Sequence, residues 1–371
     1  MDLPTGMDLS AIPLMPNPSG APPDFEGGPS LRNAELVTGI ALMAVSGTLL
    51  VFRIATNLKI ARKLGLDDML CIFAYAGGIA YWALTYSLGQ KGAAKHAWDI
   101  PLSTITTIFI KLNLAILFVI SPTMWAAKAA ILSLYIRIFG SITWIRRFSY
   151  FWIAFMALFY AIQFVIGGVY CVPRKGEAWD GASFQRCSES AWLQLMVGVF
   201  SCLADILILI LPFPIILKLQ ISVTKKVTLS IVFGVGAILV GLSMLALYYR
   251  VIIFKGIDTT WNGSALSIVT HAEVFGTVSI SCALAISSFW CKILTESTLW
   301  TELKSSFLFS SLSSRFSRSS LEQETPSFVI SSSRKPSSSQ TQLKSSATDD
   351  SERIFRETAF ENVREKSERS V

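Results

Sequence analysis

Histidine is scarce in this 371-residue chain, which has two, and charged residues make up only 15% of it against 52% hydrophobic. Helical intramembrane zinc hydrolases need several His or carboxylate ligands, so zinc chemistry is set aside and no metal is expected. The last apolar run, 265–289, contains no lysine, which leaves a retinal Schiff base without its amine. No G-x-x-x-x-G-K-[ST] segment is available to cradle a nucleotide phosphate. An internal repeat, the mark of many secondary transporters, is also absent. Six prolines between Pro4 and Pro23 interrupt any apolar stretch near the start, so no signal peptide is expected and the first long apolar run has to act as the targeting signal. These absences leave no cofactor to expect and no enzyme reaction to favour.

What remains is long apolar runs. A mean hydropathy of +0.53 places the chain in the membrane class and not among two-domain soluble proteins. Runs at about 34–52, 69–88, 112–136, 149–170, 191–217, 227–249 and 265–289 are each long enough to cross the ~30 Å hydrocarbon core of a bilayer. The expected fold is therefore an all-α membrane protein, a seven-transmembrane helix bundle over 34–289. Residues 1–33, rich in Pro and Gly, read as a flexible extracellular tail. In 290–309 the spacing of Ile293, Leu294, Trp300, Leu303 and Phe307 suggests a helix lying in the membrane interface, the alternative being a frayed extension of the seventh span. Residues 310–371 read as a Ser-rich, disordered cytoplasmic tail. Within it, Ser337 follows Arg334-Lys335-Pro336 in the form that basophilic kinases accept.

Charge settles an expected orientation. Residues 34–309 carry a net charge of +9, mostly between apolar runs; this reads as membrane topology and lipid contact, not as a nucleic-acid footprint. With the N-terminus outside, twelve Lys and Arg fall on the inner side and nine on the outer, which favours N-out, C-in and a plasma-membrane location. The sequon Asn262-Gly263-Ser264 then lies in an outer loop, as a glycosylation candidate. So do Cys171 and Cys187, which an oxidising compartment allows to pair, holding Trp179 over the outer mouth of the bundle.

Charges inside the spans are costly and need partners. Asp205 stands near the middle of the fifth run, Lys128 in the third and Glu273 in the seventh. Asp205 reads equally as a packing residue holding two helices in register or as a ligand, proton or switching group. Lys128 either snorkels toward the inner surface or pairs with Asp205 or Glu273, and the second is the expectation. Pro212 and Pro214 predict a bend near the end of the fifth span.

Taken together, GLDD (65–68), KAAILSLYIRIFG (128–140), YCVPRKGEAWD (170–180) with Cys187, DILILILPFPIILKLQ (205–220) and DTTW (258–261) with Glu273 resemble the fungal integral membrane family called rhodopsin-like, which includes Pth-type receptors. The resemblance spans about 34–290. It implies seven helices and an extracellular N-terminus, without retinal; Asp67, Asp68 and Arg137 are taken as inner-face residues, and Trp179, Asp258 and Trp261 join Lys128, Asp205 and Glu273 as candidates for a buried polar, ligand-binding or switching role. The chain departs from the family pattern at Ala130, Arg250 and Phe275. It also lacks the Asp-Arg-Tyr and Asn-Pro-x-x-Tyr signatures of rhodopsin-class receptors. The expected function is receptor-like, with the lipid bilayer, a small hydrophobic ligand and a G-protein α subunit as candidate partners and no nucleic acid. The alternative is a membrane component of a fungal secondary-metabolite cluster, handling, exporting or tolerating a product without G-protein coupling.

Overall fold

The computed structural model describes residues 8–61, 64–177, 179, 186–212, 214 and 223–296. Seven long helices carry the fold: α1 Arg32–Thr56, α2 Leu66–Leu88, α3 Thr107–Phe139, α4 Thr143–Cys171, α5 Ala191–Ile210, α6 Val223–Phe254 and α7 Thr259–Glu296. Each contains a stretch long and apolar enough to span a bilayer. No strand forms among the described residues; a single isolated bridge pairs Pro13 with Pro101. Most helices outrun the apolar stretch that marks them, since helix propensity and backbone pairing continue into the amphipathic flanks. The 33 residues of α3 cover ~50 Å, more than the hydrocarbon core, so the helix extends past it or tilts.

Three boundaries bear on the sequence expectation. α5 ends at Ile210 and turns at Leu211 and Pro212, where the sequence predicts a bend, and the rest of the span expected to 217, apart from Pro214, lies outside the described residues. Pro212 has no N–H for the helical ladder. At the other extreme α7 runs unbroken to Glu296, so the first part of the segment expected as a separate interfacial helix continues the last span. The remainder of that segment, and the tail with Ser337, lie outside the described residues. Finally, residues 8–31 are not a free tail. Leu14 N–H donates to Ile100 O at 2.9 Å, Leu102 N–H to Ile12 O at 2.8 Å, Asp24 N–H to Asp99 Oδ1 at 3.0 Å and Lys95 Nζ to Phe25 O at 3.0 Å. Proline and glycine deny this segment a helix, yet its backbone groups still find partners along the α2–α3 connection.

α7 lies at the centre. Its most apolar stretch is 67% buried inside the bundle, against 22–39% in the other six. The close approach of α2 to its neighbours rests on two glycines: a Cβ at Gly77 would lie 2.2 Å from Thr123 Oγ1 of α3, and one at Gly78 would lie 3.0 Å from the Phe275 ring of α7. Small residues let helices in lipid approach until backbone and side chain touch, where no hydrophobic drive separates protein from solvent. Phe275 is fully buried and meets Tyr75 edge-on at 5.9 Å.

Gly77→Val should therefore lower stability in detergent by about 1–3 kcal/mol through overpacking. A thermal melt of the purified protein checks this, and a melting temperature equal to wild type would show that α2 and α3 do not meet at this residue.

Candidate functional site

Mid-bundle, α3 presents Met124, Ala127, Lys128, Ile131 and Tyr135 at helical spacing, all buried. The alanines at 126, 127, 129 and 130 leave room around the lysine, whose exposure is 1%. Lys128 Nζ lies 2.6 Å from Asp205 Oδ1 of α5 and 3.2 Å from Glu273 Oε1 of α7, and it donates to Ser201 O at 3.0 Å. Ser201 Oγ donates to Glu273 Oε1 at 3.2 Å, and Ser243 Oγ of α6 donates to Asp205 Oδ2. One ammonium thus serves two carboxylates, and four helices meet at it. Of the two readings of Lys128, the structure has the pair with both acids. Neither serine was singled out from the sequence, because a serine in an apolar helix ordinarily satisfies its own i−4 carbonyl.

Toward the end of the bundle away from the N-terminal segment, a second layer forms around Arg53 of α1. Its Nη2 pairs with Asp67 at 2.5 Å, its Nε with Asp68 at 2.7 Å, and its Nη1 donates to Ser281 Oγ and O of α7 at 2.8 and 2.9 Å. Asn57 Nδ2 donates to Asp68 Oδ1 at 2.7 Å, and Arg137 Nη1 of α3 reaches Asp67 Oδ2 at 3.2 Å. Asp67, Asp68 and Arg137 are thus brought together. The residue that organises them, Arg53, the sequence reading counted only as a topology charge. The missed signal is phase: Ser46, Leu50 and Arg53 share one buried stripe of α1, so the arginine faces the bundle and not the headgroups.

The N-terminal end holds a third arrangement. Asp258 adopts a left-handed conformation, φ 39°, immediately before α7, which a short polar side chain tolerates. Its carboxylate accepts from Ala97 N–H at 2.9 Å and meets His96 Nδ1 at 2.5 Å. The His96 ring is stacked between Trp98, at 4.4 Å, and Trp261, at 4.1 Å. Thr260 Oγ1 donates to Lys95 O and Ser264 Oγ to Ala93 O, so the start of α7 is fastened to the α2–α3 connection. The sequence singled out Asp258 and Trp261 as candidate ligand or switching residues; His96 and Trp98 it did not.

Cys171 and Cys187 form a disulfide. Trp179 accepts from Thr107 Oγ1 through its carbonyl at 3.2 Å, and Lys111 Nζ sits 5.4 Å from its ring centroid, a cation–π approach at the start of α3. Beside the disulfide, Arg186 donates to the Glu177 carboxylate at 2.8 and 3.1 Å; these bonds and the N–H of Arg174 hold that carboxyl down at about 2, below the ordinary range. Asn262 lies in the first turn of α7 and not in a loop, and its amide donates to the carbonyls of Ile257 and Asp258. Among the described residues no group of three or more His, Cys, Asp or Glu could hold a metal.

Removing one partner from a buried ion pair costs about 3–5 kcal/mol, whereas removing both can be nearly neutral. Asp205→Asn and Lys128→Met should each lower the melting temperature, and the double mutant should recover part of the loss. Strict additivity in that cycle would mean that the lysine and Asp205 do not interact.

Comparison with known proteins places this geometry. The chain is 26% identical over 161 residues to a SAT4 family membrane protein of Emericella nidulans, a match covering 42% of this chain and 41% of that protein. It is 25% identical over 323 residues to fugralins biosynthesis cluster protein 2 of Gibberella zeae, covering 81% of this chain and 75% of that one. With wortmanamides biosynthesis cluster protein C of Talaromyces wortmannii it shares 22% identity over 303 residues, 77% of this chain and 80% of the relative. The family model described as the fungal rhodopsin domain matches residues 52–291, from the end of α1 into the last turns of α7. The chain is a multi-pass membrane protein that belongs to the fungal rhodopsin domain family.

Proposed function

We propose that this protein is a non-enzymatic, receptor-like sensor in the plasma membrane, with its N-terminus outside and its C-terminus in the cytoplasm. It responds to a small or hydrophobic ligand on the outer side. The observation that supports this reading best is the sharing of Lys128 between Asp205 and Glu273. A ligand can shift a helix arrangement only by its differential affinity for two states, and an ammonium with two competing carboxylates has an alternative partner ready in each. A change in that sharing moves α5 and α6 against α7. Along α7 it reaches Ser281 and the Arg53 layer, where Arg137, with a third of its side chain exposed, is open to a cytoplasmic partner such as a G-protein α subunit. Basic residues weighted to the inner side and a disulfide in the α4–α5 connection support the orientation.

A second reading has its own support: two relatives are named as biosynthesis cluster proteins. On that reading the bundle handles, exports or confers tolerance to a hydrophobic product, without a G protein.

Protease added outside sealed, right-side-out vesicles should leave a C-terminal tag intact; digestion of the tag would reverse the orientation. Function is tested by deletion in the source organism. The receptor reading expects loss of a transcriptional response to an externally added apolar metabolite, with intracellular metabolite levels unchanged. Lys128→Met, inserted at wild-type level, should reproduce the loss. An intact response with product accumulating inside the cell would refute the receptor reading in favour of the second.

A further inference from the structure

The start of α7 is fastened by bonds of two kinds. Ser264 Oγ and Thr260 Oγ1 donate to the carbonyls of Ala93 and Lys95 at 3.0 and 2.9 Å, and Ala97 N–H donates to Asp258 Oδ1 at 2.9 Å. Those three are the same in neutral and in mildly acid medium. His96 is the exception, since histidine is the side chain whose charge ordinarily changes between about pH 5 and about 8. The chain has two. His271 is fully buried, whereas 20% of the His96 side chain is exposed, so His96 is the one that meets water.

A carboxylate only accepts, so Nδ1 of His96 donates to Asp258 Oδ2, at 2.5 Å. The ring lies within 6° of the plane of Trp98 and within 10° of that of Trp261, at centroid distances of 4.4 and 4.1 Å, and two indoles that close cannot share one face of it. Asp258 is enclosed, with 8% of its side chain exposed, and His96 is its only ion-pair partner among the described residues. Beside a neutral imidazole that carboxylate has hydrogen bonds but no counter-charge. A proton added at Nε2 makes the ring a cation, the hydrogen bond to Asp258 becomes charge-assisted, and both stacks become cation–π contacts. Two of these three gains, at Asp258 and Trp261, join the α2–α3 connection to the start of α7.

The other charges around the ring are engaged elsewhere. Lys95 Nζ donates to Phe25 O, Asp99 accepts from Asp24 N–H, and the Asp24 carboxylate accepts from Gly27 N–H. Lys255, at the end of α6, is exposed and in no ion pair among the described residues. Along α7 the next titratable group, His271, lies about three and a half turns further on.

We infer that His96 is a proton-operated clasp: a proton taken up from the outer side tightens the start of α7 on the α2–α3 connection, and its release loosens it. α7 also supplies Glu273 and Ser281 to the two deeper layers, so external acidity biases the helix on which both depend. The outer source of the proton rests on the orientation proposed above; the clasp does not.

The test uses the full chain in nanodiscs, read by tryptophan fluorescence and by hydrogen exchange in the first turns of α7, between about pH 8 and about pH 5. An imidazolium stacked on indole quenches its emission. Fluorescence should therefore fall through one transition as the pH is lowered, and exchange, corrected for its intrinsic pH dependence, should slow across the same transition. His96→Gln, which can still donate to Asp258 but takes up no charge, should lose both changes. Asp258→Asn should move the transition to lower pH, because the carboxylate no longer favours the cation. Trp98→Phe combined with Trp261→Phe removes the two reporting indoles and should abolish the fluorescence change, and it carries the test if His96→Gln does not fold. A wild type without the transition, a fluorescence change that survives in His96→Gln or in the double tryptophan variant, or fluorescence that titrates while exchange does not, would overturn the clasp. In sealed, right-side-out vesicles the transition should follow the pH of the medium. One that follows the lumen would overturn the outer source, and the orientation with it, while leaving the nanodisc result in place.

Discussion

A charge inside a lipid bilayer has no solvent to leave to, so one left without a compensating partner at its own depth is costly. That constraint organises this bundle more than its apolar surface does, because lipid tails are as good a neighbour for leucine as another helix is. Apolar runs commit seven segments to the membrane but do not say which faces meet. Lys128, Asp205 and Glu273 say it for α3, α5 and α7, and Arg53 with Asp67, Asp68 and Ser281 says it for α1, α2 and α7. Sliding any of these helices by one turn would strand a charge.

α7 belongs to every layer. It supplies Glu273 at the middle, Ser281 at one end and Trp261 beside His96 at the other, and it is the most enclosed of the seven helices. A helix enclosed on most sides has few positions available, and those it has are defined by polar partners. Close contacts such as Gly78 against Phe275 narrow the choice further. Packed interfaces of this kind move between discrete arrangements and do not deform continuously.

The sequence made the fold legible because hydrophobic run length is a strong signal with a single physical cause, the bilayer thickness. It made the Lys128 layer legible for a related reason: three isolated charges in three apolar spans stand out. Arg53 did not stand out, since it follows directly after an apolar run and reads as one more basic flank. Only the helix continuing to Thr56 turns it inward. His96 and Trp98 were illegible because nothing in a connection of ordinary composition announces that Asp258, more than 150 residues later, will hold it. The docking of residues 8–31 was illegible too: a Pro- and Gly-rich composition argues against helix and core, and it says nothing about backbone groups finding an edge to pair with.

The sharing of one lysine by two acids also has a meaning for descent. A pair can be exchanged for an apolar contact in two steps, with one costly intermediate between them. Here the loss of Lys128 strands two carboxylates at once, and the loss of either acid leaves the other still paired. The three positions are thus unequal as starting points for change. Dropping Asp205 or Glu273 first leaves the lysine one counter-charge, whereas a lineage that begins with the lysine meets its deepest loss at the first step. Descendants of this bundle that lack the lysine are therefore expected to have lost at least one of the acids before it.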